Sequence, residues 1–383
     1  MDFNLTEEQQ MFRDSVTKFA QTELAPKAAA RAQATGYPWD VAARMAQLGL
    51  MGIPLPEADG GAGGSLVDAL IAIQTVAEAC PRSGDVIQAG NFGPVRTFAE
   101  YASADQKERF LTPILEGRAV ISLGMTEPQA GSAVTELQTA AVADGDDFII
   151  NGTKIFGTHS SEAKVFLVYV RFGPGLDGIG SVLIERGMPG FTVGQPTGFM
   201  NGEDWSQLYF DNVRIPASNV VLGTGGFRKQ MAGFNVERLG NAARAVAVGR
   251  HAFNLARDHA KGRRQFGRDL CEFQGLQWKF AEMQLKLEAA QLLLMRAAVN
   301  AGDGLPDPHD TALAKLACNE AGFFAANEAL QIMGGTGFSN DSTAQYCLRR
   351  TRGWMIAGGS VEILKNRIAE GIFDRRFPQH AQR

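Results

Sequence analysis

Cysteine and histidine are scarce: four and five in a chain of 383 residues. Cys80, Cys271, Cys318 and Cys347 are scattered without a CxxC pair, and no two histidines stand at metal-ligand spacing. A zinc or iron–sulfur centre needs closely spaced ligands, so no metal site is expected, and the pattern suits a reducing compartment. Excess positive charge is also missing. With 37 Lys and Arg against 41 Asp and Glu the net charge is -4, which argues against a general role on nucleic acid or a membrane surface. No stretch reaches the roughly 18 apolar residues that span a bilayer, and the opening MDFNLTEEQQ lacks the apolar centre of a secretory signal. A cytoplasmic protein with no membrane span is the expectation. Two phosphate-cradling glycine signatures are absent as well: there is no GxGxxG between a strand and a helix and no GxxxxGK[ST], so neither a Rossmann nor a P-loop reading is supported.

The remainder is ordinary globular composition, 45% hydrophobic and 20% charged, long enough for two or three domains around a large core. Residues 1–118 read as helices. Thr6 with Gln9 forms a capping box ahead of Met11, Phe12, Val16 and Phe19 on one face. A further helix from about Leu66 carries Ala69, Ile73 and Val76, and the glycine-rich run ADGGAGGS before it reads as a loop. Residues 119–225 change pattern: VFLVYV (165–170), SVLIE (181–185) and LYFDNVRI (208–215) are short β-rich runs ended by Gly, Pro or Asn, and Asn151-Gly152 between two apolar runs predicts a type I′ hairpin turn. Residues 226–383 return to helix. Phe273, Leu276, Phe280, Met283, Leu287, Ala290, Leu294 and Ala297 step by three and four, a heptad seam that packs on partner helices. The fold class expected is mainly α with a central, mostly antiparallel β-domain, in the order helical domain, β-domain, helical bundle.

Five ordered motifs then tie the whole chain to a known family. MTEPQAGS (125–132), INGTKIFGTHS (150–160), FDNVRIPASNVV (210–221), RRQFGRDLCEFQGLQWKFAEM (263–283) and QIMGGTGF (331–338) resemble, in the same order, the characteristic segments of the acyl-CoA dehydrogenases. The resemblance implies FAD, an acyl-CoA substrate, an electron-transferring flavoprotein as electron acceptor, a C-terminal four-helix domain and a homotetramer built as a dimer of dimers. Carried over by position, Leu123, Met125, Thr126, Gly131 and Ser132 would run along the flavin, with Ser132 also near the thioester. Phe156 and Thr158 would cover one face of the ring, Phe156 standing where the family has Trp. Arg263, Phe266, Gln274, Gln331, Gly334 and Gly335 would serve the FAD of a neighbouring subunit, Arg263 at its pyrophosphate. Taken alone, the Arg263-Arg264 pair reads as a solvated basic face.

Oxidation of a thioester at Cα–Cβ needs a carboxylate base for the α-proton. In many family members that base lies in a C-terminal IYEGTS segment. Here the matching stretch is IAGGSVEI, with Gly358 in the glutamate position. The resemblance assigns Gly358 and Gly359 to the substrate, and Ser360 and Glu362 to the cofactor. A second family arrangement puts the base in an ER pair, which FNVERLGNAARAVAVG (234–249) contains. Glu237 is then the expected catalytic base, near the N-terminal end of its helix, with Arg238 beside it in the substrate channel. Ala133, in place of a frequent aspartate, also resembles a branch that includes sulfinopropanoyl-CoA desulfinases, which carry a non-acidic residue at the Glu237 position. Arg82, with Ser83 or Asp85, falls where that branch meets an anionic acyl tail. Two alternatives to dehydrogenation stay open: a non-redox elimination on an acyl-CoA, and a non-catalytic subunit that completes a FAD site in a hetero-oligomer.

Overall fold

The first helix of the computed structural model begins at the expected capping box. Thr6 Oγ1 accepts from the Gln9 N–H and Gln9 Oε1 accepts from the Thr6 N–H, both at 3.2 Å, opening Glu7–Phe19. Residues 4–302 and 304–377 are described. They divide into two compact units. One takes Met1–Gln33, Leu66–Gly84 and Arg238–Arg383; the other takes Ala34–Ser65 and Asp85–Glu237.

The first unit is helical. Val16 and Phe19 of Glu7–Phe19 are buried, whereas Met11 is exposed and Phe12 half-buried. The expected apolar face is therefore covered only over its second half. Gln9 ties this helix to Leu66–Ala79 through Asp68 (3.2 Å). Three long helices follow: Phe227–Gly262 (from Arg238 onward in this unit), Gln274–Ala301 and Pro308–Met333. Side-chain pairs fix their directions. Arg250 meets Glu288 (3.2 Å) and Phe253 packs on Phe280 (5.5 Å), so the first two run antiparallel. Lys279 pairs with Glu328 and Arg296 with Asp310 (2.9 Å), so the second and third do too. The heptad seam is buried at Met283, Leu287, Ala290, Leu294 and Ala297, while Phe273, Leu276 and Phe280 remain half-exposed. A second row on the same helix, Trp278, Leu285, Leu292 and Val299, recurs every seven residues and is exposed throughout. Thr343–Trp354 and Val361–Ile372 complete the unit.

The second unit is built on a sheet whose strands are β1 (Ile121–Gly124), β2 (Ala140–Asp144), β3 (Asp147–Lys154), β4 (Val165–Arg171), β5 (Ile179–Glu185), β6 (Phe191–Val193), β9 (Leu208–Pro216) and β10 (Val220–Leu222); β7 (Thr197–Gly198) and β8 (Asp204–Trp205) pair separately. The order is β10-β5-β4-β2-β3-β9-β6, with β1 added parallel to β4. β4 and β5 are buried along nearly their whole length, because both faces are covered and an alternating pattern is not required. β9 alternates buried and exposed positions more regularly.

Asn151-Gly152 is not a hairpin turn. The turn falls at Gly145-Asp146, between β2 and β3. Gly152 lies inside β3 at φ 148°, where the register against β9 shifts between Ile150 and Gly152. A Cβ there would stand 2.5 Å from Thr139 Oγ1. Asn151 exchanges hydrogen bonds with Asn212 across the strand pair, accepting from its N–H at 2.8 Å, and Asn212 is itself at φ 53°. The dipeptide that favours positive φ in a turn here encodes a bulge. No described helix is long and apolar enough to cross a membrane.

Candidate functional site

In the sheet unit, β1 delivers the chain into the loop 125–132. Lys154, at the end of β3, reaches under that loop: its Nζ donates to Glu127 Oε1 at 2.7 Å and to the Met125 carbonyl at 3.1 Å. Glu127 also accepts from the N–H groups of Gln138 (2.7 Å) and Thr139 (2.9 Å). Both side chains of this ion pair are fully buried. Burial alone would raise the Glu127 pKa; the Lys154 charge and these hydrogen bonds override it and hold the carboxyl below its usual range.

The loop so anchored leaves donors unspent. The backbone N–H groups of Met125, Thr126, Gly131 and Ser132 make no hydrogen bond among the described residues. Beside them the segment 156–158 is held by Ser122 Oγ, which donates to the Thr158 carbonyl (2.8 Å). Gly157 passes so close to β1 that a Cβ would lie 3.0 Å from the Leu123 carbonyl oxygen. Phe156 adopts φ 61° and remains half-exposed, tilted against Trp205 (4.6 Å) and Phe199 (6.0 Å). A row of free N–H groups next to an aromatic face suits a planar ring with acceptor atoms on its edge, and the residues present thus fit a flavin.

Glu237 also belongs to this unit. It is half-buried, and its carbonyl accepts from Gln88 Nε2 at 3.3 Å. It does not sit at a helix start. The helix begins at Phe227, several turns earlier, so the positive end of the helix dipole does not act on it. Arg82, Ser83 and Asp85 are all buried.

In the helical unit, Arg238 donates from Nε to the Gly358 carbonyl (3.0 Å). Gly358 and Gly359 separate Thr343–Trp354 from Val361–Ile372 at φ 71° and 93°, a left-handed pair that only glycine adopts freely. Lys315 Nζ donates to the carbonyls of Trp354 (3.0 Å) and Gly359 (3.1 Å). A Cβ on Gly358 would lie 3.0 Å from Asn241 Nδ2 and 3.9 Å from Lys315 Nζ. The groups that approach the bare backbone at 358 are thus the protein's own amide and ammonium. Ser360 caps the following helix, accepting from the Ile363 N–H. Glu362 is exposed in its first turn, and its carboxyl is held low by its own backbone N–H and the Ser360 hydroxyl.

The remaining expected cofactor residues gather at one end of the antiparallel helices: Arg263 after Phe227–Gly262, Gln274 opening the next helix, and Gln331, Gly334 and Gly335 closing Pro308–Met333. All five are exposed, and Phe266, at φ 51° on the hairpin following Arg263, is 93% exposed. A concavity of about 670 Å³ along the first helix, lined by Asn4, Leu5, Glu7, Gln10, Met11 and Arg13, contains none of these residues.

Sequence reasoning did not single out Glu127 with Lys154, the Phe199–Trp205 support of Phe156, or Gln88. Glu127 and Lys154 lie within quoted motifs; the other three carry no local signal.

Comparison with known proteins matches acyl-CoA dehydrogenase domain models over residues 6–118 (N-terminal), 122–213 (middle) and 224–373 (C-terminal). A short-chain-specific acyl-CoA dehydrogenase of Clostridium acetobutylicum is 35% identical over 97% of this chain and 100% of its own. A 3-sulfinopropanoyl-CoA desulfinase of Paraburkholderia xenovorans is 34% identical over 98% of this chain and 99% of its own. The butyryl-CoA dehydrogenase structure from Megasphaera elsdenii superposes with a TM-score of 0.90 at 30% identity, covering 97% of this chain and 100% of that one.

Proposed function

The chain belongs to the acyl-CoA dehydrogenase family, and we propose that it removes the α-proton and β-hydride of an acyl-CoA thioester with Glu237 as the base. It is an FAD enzyme acting on a CH–CH bond of acyl-CoA. When bound, FAD supplies the acceptor for the β-hydride. Leu123, Met125, Thr126, Gly131 and Ser132 would hold its ring edge, and Phe156 with Thr158 one face. Ser132 is exposed, with an uncommitted N–H and a hydroxyl, free to orient a thioester as well.

The observation that carries the assignment is that Glu237 lies in the same unit as the flavin loop, half-buried, with its carbonyl bonded by Gln88. Gly358 does not compete: its left-handed φ disfavours a side chain, and the Cβ direction is taken by Asn241 and Lys315. Arg238, bonded to the Gly358 carbonyl, holds that corner in place. Arg263, Phe266, Gln274, Gln331, Gly334 and Gly335, exposed at one end of the helices, would serve the cofactor of a second copy. The exposed row Trp278, Leu285, Leu292 and Val299 supports assembly into a homotetramer. An electron-transferring flavoprotein is the electron acceptor in this reading.

Replacement of Glu237 by Gln tests it: the flavin should stay bound, and anaerobic bleaching by acyl-CoA should cease. Bleaching that persists in this variant would remove Glu237 from the mechanism. A second reading, elimination as in the desulfinase relatives, has their 34% identity in its favour; it requires sulfite release from 3-sulfinopropanoyl-CoA with no electron acceptor present. A protein that purifies alone without bound flavin or activity would instead be the partner subunit of a hetero-oligomer.

A further inference from the structure

Five non-glycine residues among those described have positive φ, and two of them, Phe156 (61°) and His159 (60°), fall within four positions in the sheet unit. Such a backbone is unfavourable and persists only where its surroundings over-determine it. Here the segment is pinned on both sides of Phe156. Before it, the Ile155 N–H donates to the Thr126 carbonyl (2.9 Å). After it, Ser122 Oγ donates to the Thr158 carbonyl (2.8 Å), and Ser160 clasps Ser206, its Oγ donating to the Ser206 carbonyl (3.0 Å) and accepting from the Ser206 N–H (2.7 Å). The Phe156 ring itself rests on the hairpin β7–β8. That hairpin pairs only with itself, and two strands so short have little stability alone. Its end is closed by the Phe199 N–H on the Glu203 carbonyl (2.7 Å) and the Glu203 N–H on Asn201 Oδ1 (3.0 Å). Within it Phe199 and Trp205 stack at 5.9 Å and 26°, and Trp205 is the nearer of the two to Phe156, 4.6 Å against 6.0 Å. The rings thus run Phe199, Trp205, Phe156, and the last is 50% exposed. A ring needed only for packing would be covered. One held on an unfavourable backbone, backed on one side and open on the other, is presented to a flat partner.

We propose that Trp205 is a positioning residue for the cofactor: backed by Phe199, it holds Phe156 at its left-handed φ and fixes the ring face that Phe156 offers to the flavin. Trp205 stands one ring behind and acts through Phe156. The Ser160–Ser206 clasp sets the residue next to Trp205 against the segment that carries Phe156, so hairpin and flavin face move as one piece. The inference deepens, and rests on, the reading of Phe156 as a cover for one face of the flavin.

The test uses the FAD-loaded protein in a double-mutant cycle of Phe156→Ala and Trp205→Leu, with Trp205→Phe as the conservative control. Leucine keeps the hairpin apolar, and phenylalanine keeps a ring. Two quantities are read, neither needing substrate: the rate of flavin loss on dilution and the flavin midpoint potential. Trp205→Leu should speed flavin loss about 3- to 10-fold, the contribution of one aromatic pair, and move the potential in the same direction as Phe156→Ala. Trp205→Phe should restore most of both. Added to Phe156→Ala, Trp205→Leu should change little more, because its effect passes through a ring already removed. Two results overturn the proposal: a Trp205→Leu variant that lowers Tm but leaves both flavin quantities native, or effects of the two replacements that add in full. Should Trp205→Leu not load FAD, Phe199→Leu, which removes only the backing ring, takes its place in the cycle under the same criteria. The underlying reading fails separately: if Phe156→Ala alone leaves flavin loss and potential unchanged, Phe156 does not face the flavin and Trp205 has nothing to position.

Discussion

Replacing Lys154 by Met leaves the Glu127 carboxylate buried in the loop 125–132 with no counter-charge. The native pair is 1–2% exposed, joined at 2.7 Å, and the lysine also holds the Met125 carbonyl. Removing one member of such a pair costs about 3–5 kcal/mol, because the surviving charge keeps its desolvation penalty and loses its compensation. Unfolding entropies of about 2.1 cal/mol/K per residue over this chain length amount to roughly 0.8 kcal/mol/K, so the expected loss is about 4–6 °C in Tm. Glu127 keeps its bonds from Gln138 and Thr139, which places the loss nearer the lower figure. The double variant Glu127→Gln with Lys154→Met should recover part of it, since no buried charge then remains. The assay is thermal unfolding of the FAD-loaded protein, with flavin retention on dilution measured in parallel to report the loop. A loss below about 1 kcal/mol for the single variant, or a double variant no more stable than Lys154→Met alone, would refute the argument.

Glu237→Gln should lower kcat by about 10²–10⁴, the usual worth of a positioned base, as read by stopped-flow reduction of the flavin. Adding Gly358→Glu to that variant should not restore activity, because the new side chain meets Asn241 and Lys315 at a strained φ; restored bleaching would contradict this. Gly152→Val should destabilise by about 1–3 kcal/mol through its clash with Thr139, measured by denaturant midpoint. His251, half-buried with Nδ1 donating to the Glu78 carbonyl (2.7 Å) and Nε2 accepting from Thr343 Oγ1 (2.7 Å), is neutral in the fold, and its loss of solvent lowers its pKa. Its unfolded form takes up a proton near pH 6.5 while the native form resists, so stability should fall as pH drops below that value. His251→Gln should flatten the dependence of the urea midpoint between pH 7 and 5.5.

What the sequence reveals depends on how local the determinant is. The Thr6–Gln9 box spans four residues and is fully readable, as are the apolar runs of β4, β5 and β9. Asn151-Gly152 misleads because its partner Asn212 lies 61 residues away; read alone it signals a turn, and paired it makes a bulge. The amphipathic pattern shows that Met11 and Trp278 are apolar, but not whether anything covers them. The loop 125–132, proposed here to hold the flavin, is legible from its motif and the likeness to a family. Its anchorage by Lys154 and the backing of Phe156 by Trp205 are not, since both join segments tens of residues apart. The contact of Gln88 with Glu237 spans 149 residues and has no local signature at all.

The paired glycines at 358 and 359 make this corner hard to alter by single steps. Any one replacement at 358 meets an unfavourable backbone and an occupied volume together. A side chain becomes admissible there only in company with changes at Asn241 or Lys315. Random single-site libraries should therefore return this position as intolerant whatever its chemistry, and only combinatorial ones that vary 241, 315 and 358 together can ask whether an acid would work from this side.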